Sequence, residues 1–299
     1  MAVSANLIIN SLVISALYAL VAMGFTLIFG VGNVLNLAHG GLLTVGGFAG
    51  YQVANIWGFS PLVGVVAATV VAAAGGLILY LGIIKQIQDQ FISVMIITLL
   101  IGILVQHLIR IQYGTSKVTI APIVPGSAEL FGISVRLTSV AIFVLSWAII
   151  GAVFFGINET RLGKAVIASS MNRKGARLAG IDQDQVNFYV WIVSSALAGL
   201  GGVLLLSVQA GNWQMGTQPL ILSFSIVIIG GLGSIRGSVV GAYIIGSVET
   251  ATTTLIDPRL TGVSSLVLLI VVILARPNGL LGREQVIEFG AADLISSDQ

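Results

Sequence analysis

Along most of the chain the apolar positions do not alternate with polar ones; they run on. Stretches dominated by aliphatic, aromatic and small side chains recur at 5–29, 35–54, 61–84, 91–112, 137–156, 186–208, 218–234, 237–256 and 261–276. Runs of about 20 residues are long enough, as helices, to cross the roughly 30 Å hydrocarbon layer of a bilayer. Helix is also the form that satisfies each backbone N–H and C=O within one segment, where lipid offers no partner. The pattern predicts an all-α polytopic membrane protein with about eight to nine transmembrane helices, some short or broken. The whole chain, 1–299, is read as a single transmembrane domain. The pair at 218–234 and 237–256 is the least regular, which is why the count has two values.

The interruptions carry as much information as the runs. Three connections have room for folded structure: 113–136, 157–185 and the tail from Arg276. The stretches IFGVGNVLNLAHGG (28–41) and IIGGLGSIRGSVVGA (228–242) bring glycine and polar groups together where a span should continue or reverse. They occupy roughly corresponding places in the two halves, an arrangement compatible with an inverted repeat. Paired broken helices are the sequence pointer to a translocation route, so Asn36, His39 and Gly40 are candidate pathway residues. For His39, a hydrogen bond to a neighbouring helix around the Gly40-Gly41 break and direct substrate contact both fit. Glu249 is the acid deepest in an expected span and a further candidate, either lining the pathway or bonding helix to helix. AAAGG at 72–76 and ALAGLGG at 196–202 instead predict close helix packing.

Composition sharpens this picture. Only 8% of residues are charged and 57% are hydrophobic, against about 25% charged in a soluble domain, and no Lys, Arg, Asp or Glu precedes Lys85. The opening MAVSANLIIN lacks the basic region of a cleaved signal and reads as the start of a retained span. With no cysteine and two distant histidines, His39 and His107, a metal site is not expected. A net charge of +2, placed between spans, argues against nucleic acid. The chain lacks a GxxxxGK[ST] run and the paired groups of a hydrolase, so no cofactor, ATP site or enzymatic step is expected in it. Alternating nine spans puts Lys85, Arg161, Lys164, Arg173, Lys174, Arg177, Arg236, Arg276 and Arg283 on one side. That side should be cytoplasmic, with the N-terminus outside, in a cell (inner or plasma) membrane.

Five of those cations fall within 161–177, inside the connection 158–185. Charge alone can set topology, but the segment holds more. Asn172 can cap a short helix, Ala176, Leu178 and Ala179 give it apolar positions, and Gly180 can end it. A short apolar helix ringed by cations, among them Arg177, suits docking into a groove on a cytosolic partner. The spacing of Gly163, Ala168, Asn172, Ala176 and Gly180-Ile181 resembles the coupling motif of ATP-binding cassette importer permeases. More narrowly, the chain is similar to permeases of the branched-chain amino acid uptake family, of the smaller of the two paired types. MGFTLIFGVGNVLNLAHGGLLTVGGF, GGLGSIRGSVVGAYIIGSVE and RPNGLLGR (276–283) resemble that family's signatures, in the same order. One departure is Gly41, where many members carry an acid.

The resemblance implies an importer in which this chain pairs with a second permease, two cytosolic ATPases that bind the ATP, and an extracytoplasmic substrate-binding protein. Asn172, Ala176, Arg177 and Gly180 would form the ATPase-coupling element. Uptake of urea or short amides by a related permease is the alternative, and a secondary transporter a more distant one. The charge pattern yields a direct test of topology. Cysteines introduced at Ser170 and Ser297 should resist impermeant thiol reagents in intact cells. Labelling of either from outside would overturn the orientation.

Overall fold

The computed structural model describes residues 2–32, 34–130 and 133–282. Asn33, Arg283 and Ser297, named above, lie outside the described residues. The chain is helical almost throughout. Its helices are α1 (Ala2–Gly32), α2 (His39–Tyr51), α3 (Pro61–Leu79), α4 (Lys85–Ile87), α5 (Phe91–Tyr113), α6 (Leu137–Glu159), α7 (Arg161–Met171), α8 (Arg173–Leu178), α9 (Gln183–Val208), α10 (Thr217–Gly230), α11 (Ile235–Leu255) and α12 (Val263–Ala275). Single π-helical turns extend α2 to Ile56 and join α3 to α4. A two-stranded antiparallel hairpin, β1 (Ser127–Leu130) and β2 (Ile133–Arg136), pairs Ser127 with Arg136 and leads into α6.

Among the described residues, five helical stretches are long and apolar enough to cross a membrane, or six if the α10–α11 pair, bent by 118°, is one broken span. The expected eight to nine are therefore not all full-length crossings. α2 starts at His39 rather than near residue 35, α10 has 14 residues, and α12 has 13.

Contacts along α5 explain why α2 and α10 are short. The Leu37 amide bonds Thr98, and Gly41 lies against Gly102, so α2 begins part-way along α5. It finishes where Tyr113, the last residue of α5, donates to Gln52. α10 begins where Gln106 donates to Thr217 and runs the other way, ending at the turn into α11. The two half-helices meet at their N-termini: a Cβ on Gly40 would lie 2.6 Å from the Gly216 carbonyl oxygen.

Each half-helix is entered through the same turn. The Asn36 side-chain oxygen accepts from the amide of Ala38, two residues on, and its carbonyl accepts from His39, three on. Asn212 does likewise with Gln214 and Met215. Asparagine is suited to this Asx turn because its amide oxygen stands in for a backbone carbonyl.

The packing follows the same duality. α1 lies along α11 as α9 lies along α3; α2 packs on α3 and α5 as α10 packs on α11 and α12; and α1 meets α9 directly. This is the pattern of an inverted repeat, α1–α2–α3–α5 against α9–α10–α11–α12, with α6 to α8 between the halves. The broken positions that correspond are 33–38 and 209–216, not 28–41 and 228–242. The second glycine cluster forms the tight α10–α11 turn, where Gly231 has φ +102°. There the tail hands its Leu280 and Leu281 amides to the carbonyls of Ile229 and Gly230.

Helices pack here without a hydrophobic drive between them, so close backbone approach supplies the attraction. α9 is the centre of this packing, with Gly199 pressed against Gly46 of α2 and against Ala68 and Ala72 of α3. Meanwhile α3, α5, α6 and α12 turn Val66, Leu100, Phe155 and Leu274 outward, as expected of lipid-facing sides. A side chain at Gly199 would push three helices apart. Overpacking costs about 1–3 kcal/mol, occasionally more, so Gly199→Val should lower the thermal unfolding midpoint of the detergent-purified protein. An unchanged midpoint would remove α9 from the centre of the packing.

Candidate functional site

Two cavities lie at opposite ends of a bundle formed by α1, α6 and α11. At the basic end, a cavity of about 670 Å³ is lined by Thr26 and Gly30 of α1, Ile157 and Asn158 of α6, Arg173, and Ser234 and Arg236. At the far end, one of about 600 Å³ is lined by Asn6, Asn10 and Tyr18 of α1, Arg136, Ser139 of α6, and Glu249 of α11. α1 and α11 touch through small hydroxyl residues at the levels of the two cavities. Ser11 donates to Ser247 at 3.0 Å, Thr26 and Ser238 share a hydrogen bond, and Ser15 sits against Gly246. Serine, threonine and glycine let the two helices approach closely at these points, and buried apolar residues, among them Ala22, Met23, Ala242 and Ile245, fill α1 and α11 between the cavities.

Glu249 is buried, yet it forms part of the wall of the far-end cavity. One carboxylate oxygen accepts from the Gly262 amide at 2.6 Å, and the other from the hydroxyls of Ser264 at 2.9 Å and Ser265 at 2.8 Å. Those donors are the cap and first turn of α12, where unpaired amides and the helix dipole favour an anion. Glu249 thus ties α11 to α12 and presents a carboxylate at the cavity wall.

Asn36, His39 and Gly40 are placed elsewhere. All three are buried, and none lines either large cavity. His39 Nε2–H donates to the Val21 carbonyl at 3.1 Å, with the ring edge-on to Phe25. Gly40 supplies the close contact with Gly216, and Asn36 the turn into α2. Asn36 Nδ2 and His39 Nδ1 are left without a partner among the described residues.

The basic connection folds as two helices. The Asn172 side chain caps α8 by accepting from the Gly175 amide at 2.8 Å. The helix ends with Gly180 at φ +82°, its amide bonded to Arg177 and the Ile181 amide to Ala176. These paired bonds are the Schellman arrangement, in which glycine takes the left-handed position. Ala176 is 5% exposed and faces the protein, whereas Leu178 is 88% exposed. The apolar positions expected to form one stripe therefore point to opposite sides. Arg177 and Ala179 are exposed with Leu178.

This segment is fastened to the bundle. Gln183 donates to Ser169, Lys85 pairs with Asp184 at 2.9 Å, and Arg173 approaches Asp89 at 3.9 Å. Residues Val166, Ile167, Ser169 and Ser170 of α7, with Arg173, also form a wall of the basic-end cavity. Sequence reasoning did not find Tyr18, Arg136 or Ser234 as cavity residues. A lone tyrosine in a span and a lone cation before one were the available signals, and neither gives a partner without the fold.

Among known proteins, the family model described as branched-chain amino acid transport system / permease component matches residues 7–275. The high-affinity branched-chain amino acid transport system permease protein LivH of Salmonella typhimurium is 26% identical over 293 residues, 93% of this chain and 95% of that one. The probable branched-chain amino acid transport permease protein LivH of Methanocaldococcus jannaschii is 32% identical over 294 residues, covering 91% of each chain. The ribose import permease protein RbsC of Escherichia coli is 26% identical over 252 residues, 81% of this chain and 76% of that one. No solved structure matches the chain.

Proposed function

From the premise that the chain belongs to the branched-chain amino acid transport system permease family, we propose that it is one transmembrane subunit of an ATP-driven importer of branched-chain amino acids. The chain is a multi-pass membrane permease subunit, and its transport family accounts for the absence of any expectation of chemistry on the substrate. The reading adds a second permease, two cytosolic ATPases that bind the ATP, and an extracytoplasmic binding protein, with the basic end of the bundle on the cytoplasmic side of the cell membrane.

The observation that carries the reading is Leu178. A large apolar side chain, 88% exposed on a capped helix among Lys174 and Arg177, has no lipid tails to meet at the basic end. A groove on a partner would cover it. Because α7 and Arg173 also wall the basic-end cavity, a displacement of α8 by the ATPase is felt at that cavity directly. The route for substrate is then the line from the far-end cavity through the α1–α11 seam. Glu249 belongs to that route, while Asn36, His39 and Gly40 hold the half-helices that support it.

The buried position of Ala176 changes which substitution tests the docking. Enlarging Ala176 would disturb the segment's own fold, so it does not isolate the partner's groove. Leu178→Asp removes the exposed apolar contact and leaves the caps at Asn172 and Gly180 intact. In vesicles reconstituted with the partner subunits, it should lower ATPase activity stimulated by the loaded binding protein by about tenfold or more, the scale of an interface hot spot. Lys174→Ala should change it by less than about fivefold, since an exposed ion pair is worth about 0–1 kcal/mol. Full stimulation by the Leu178→Asp complex would sink the coupling role of α8.

A further inference from the structure

We propose that the far-end cavity is a transient site for the zwitterionic head group of an amino acid, with Arg136 taking the carboxylate and Glu249 the ammonium. The inference rests on the amino-acid permease reading and adds the chemistry of recognition within the membrane subunit.

The first observation is the set of partners around Glu249. Its three hydrogen-bond donors, the Gly262 amide and the Ser264 and Ser265 hydroxyls, are all neutral. Among the described residues no Lys, Arg or His lies within ion-pair distance of it. A carboxylate offers about four acceptor positions, and three are filled here, leaving one on the oxygen that Gly262 holds. Neutral donors orient a carboxyl group without offering it a charged partner, and an ionisable group inside a membrane protein is ordinarily paired. A cation entering from the cavity completes that pairing.

The second observation is the opposite charge in the same cavity. Arg136 ends β2, stands at the N-cap position of α6 without a side-chain cap bond, and lines the wall with an exposed side chain. No carboxylate among the described residues is within ion-pair distance of it. A guanidinium binds a carboxylate through two parallel N–H bonds. Lone cations or lone anions are common at the mouths of membrane proteins; one of each on the wall of a single cavity is the complement of a zwitterion.

The remainder of the wall fits the rest of such a molecule. Ile9, Val13, Ile14, Val135 and Val208 supply an aliphatic surface, on which a branched hydrocarbon side chain loses its contact with water. Volumes of about 300–1,000 Å³ are usual for small-molecule sites, and this cavity falls within them at about 600 Å³. It is roomy for one amino acid, which suits brief residence at the entrance to a route.

The test separates recognition from a purely structural use of Glu249. The full transporter complex in nanodiscs, without the binding protein, is titrated with leucine by saturation-transfer NMR. Two analogues compete: leucinamide, which lacks the carboxylate, and 4-methylpentanoate, which lacks the ammonium. The unmodified complex should prefer leucine to either by about tenfold or more, because a site built for a polar group is left unpaired by the analogue lacking it. In Arg136→Gln the preference over leucinamide should vanish while that over 4-methylpentanoate persists. In Glu249→Gln the pattern should reverse. If Glu249 only ties α11 to α12, both preferences persist in Glu249→Gln, and that result overturns the proposal. So does leucine binding that neither substitution alters. Leucine uptake by the unmodified complex with its binding protein is measured in parallel. Its failure would reject the amino-acid importer reading itself, whereas normal uptake with unaltered discrimination rejects only this site.

Discussion

Two half-helices that begin inside the bundle place backbone amides where lipid cannot bond them, and the rest of the architecture answers that constraint. Starting a helix leaves its first N–H groups without intrahelical partners. Here Asn36 and Asn212 each bond an amide of the turn leading into a half-helix, Thr98 of α5 accepts from the Leu37 amide, and Gln106 of α5 donates to Thr217. The N-termini can then abut because Gly40 and Gly216 carry no side chain. From that contact follow the short lengths of α2 and α10, the central position of α9, and the opposed directions of the two halves.

The duality leaves α1 and α11 facing each other along one seam and α9 and α3 along another, but the two seams differ in kind. Between α9 and α3 the contacts include Gly199 against Ala68 and Ala72 and Gly76 against Ser195. Between α1 and α11 serine and threonine pairs stand among buried apolar residues, with a large cavity at each end. Hydroxyl contacts beside wet spaces can be exchanged for water at little cost. On the proposed reading, passage belongs to the α1–α11 pair. The α7–α8 segment, inserted between the halves, walls the basic-end cavity.

Much of this was legible in the sequence. The apolar runs gave the helical membrane class, the concentration of cations at 161–177 gave the basic end, and Asn172 and Gly180 gave both ends of α8. The duplication was legible only as two glycine clusters, and it was read in the wrong register. Glycine at 231 and 233 serves a tight turn with positive φ, while glycine at 40 and 216 serves a helix–helix contact, and composition cannot tell the two uses apart. The shared signal was the asparagine before each half-helix. Among the polar candidates, Asn36 and His39 bond backbone partners, for His39 one of the two uses that its position allowed, whereas Glu249 serves a backbone amide and a cavity at once. The cavities themselves were out of reach, since their walls join residues as distant as Asn6, Arg136 and Glu249.

The central claim is that substrate passes between the cavities by parting the α1–α11 seam. The chain has no cysteine, and the Ser11 and Ser247 hydroxyls are 3.0 Å apart across that seam. Replacing both with cysteine and oxidising the pair would lock it, and uptake in reconstituted vesicles can be followed before and after reduction. The account predicts that uptake stops when the disulfide forms and returns on reduction. Undiminished uptake by fully cross-linked protein would contradict it.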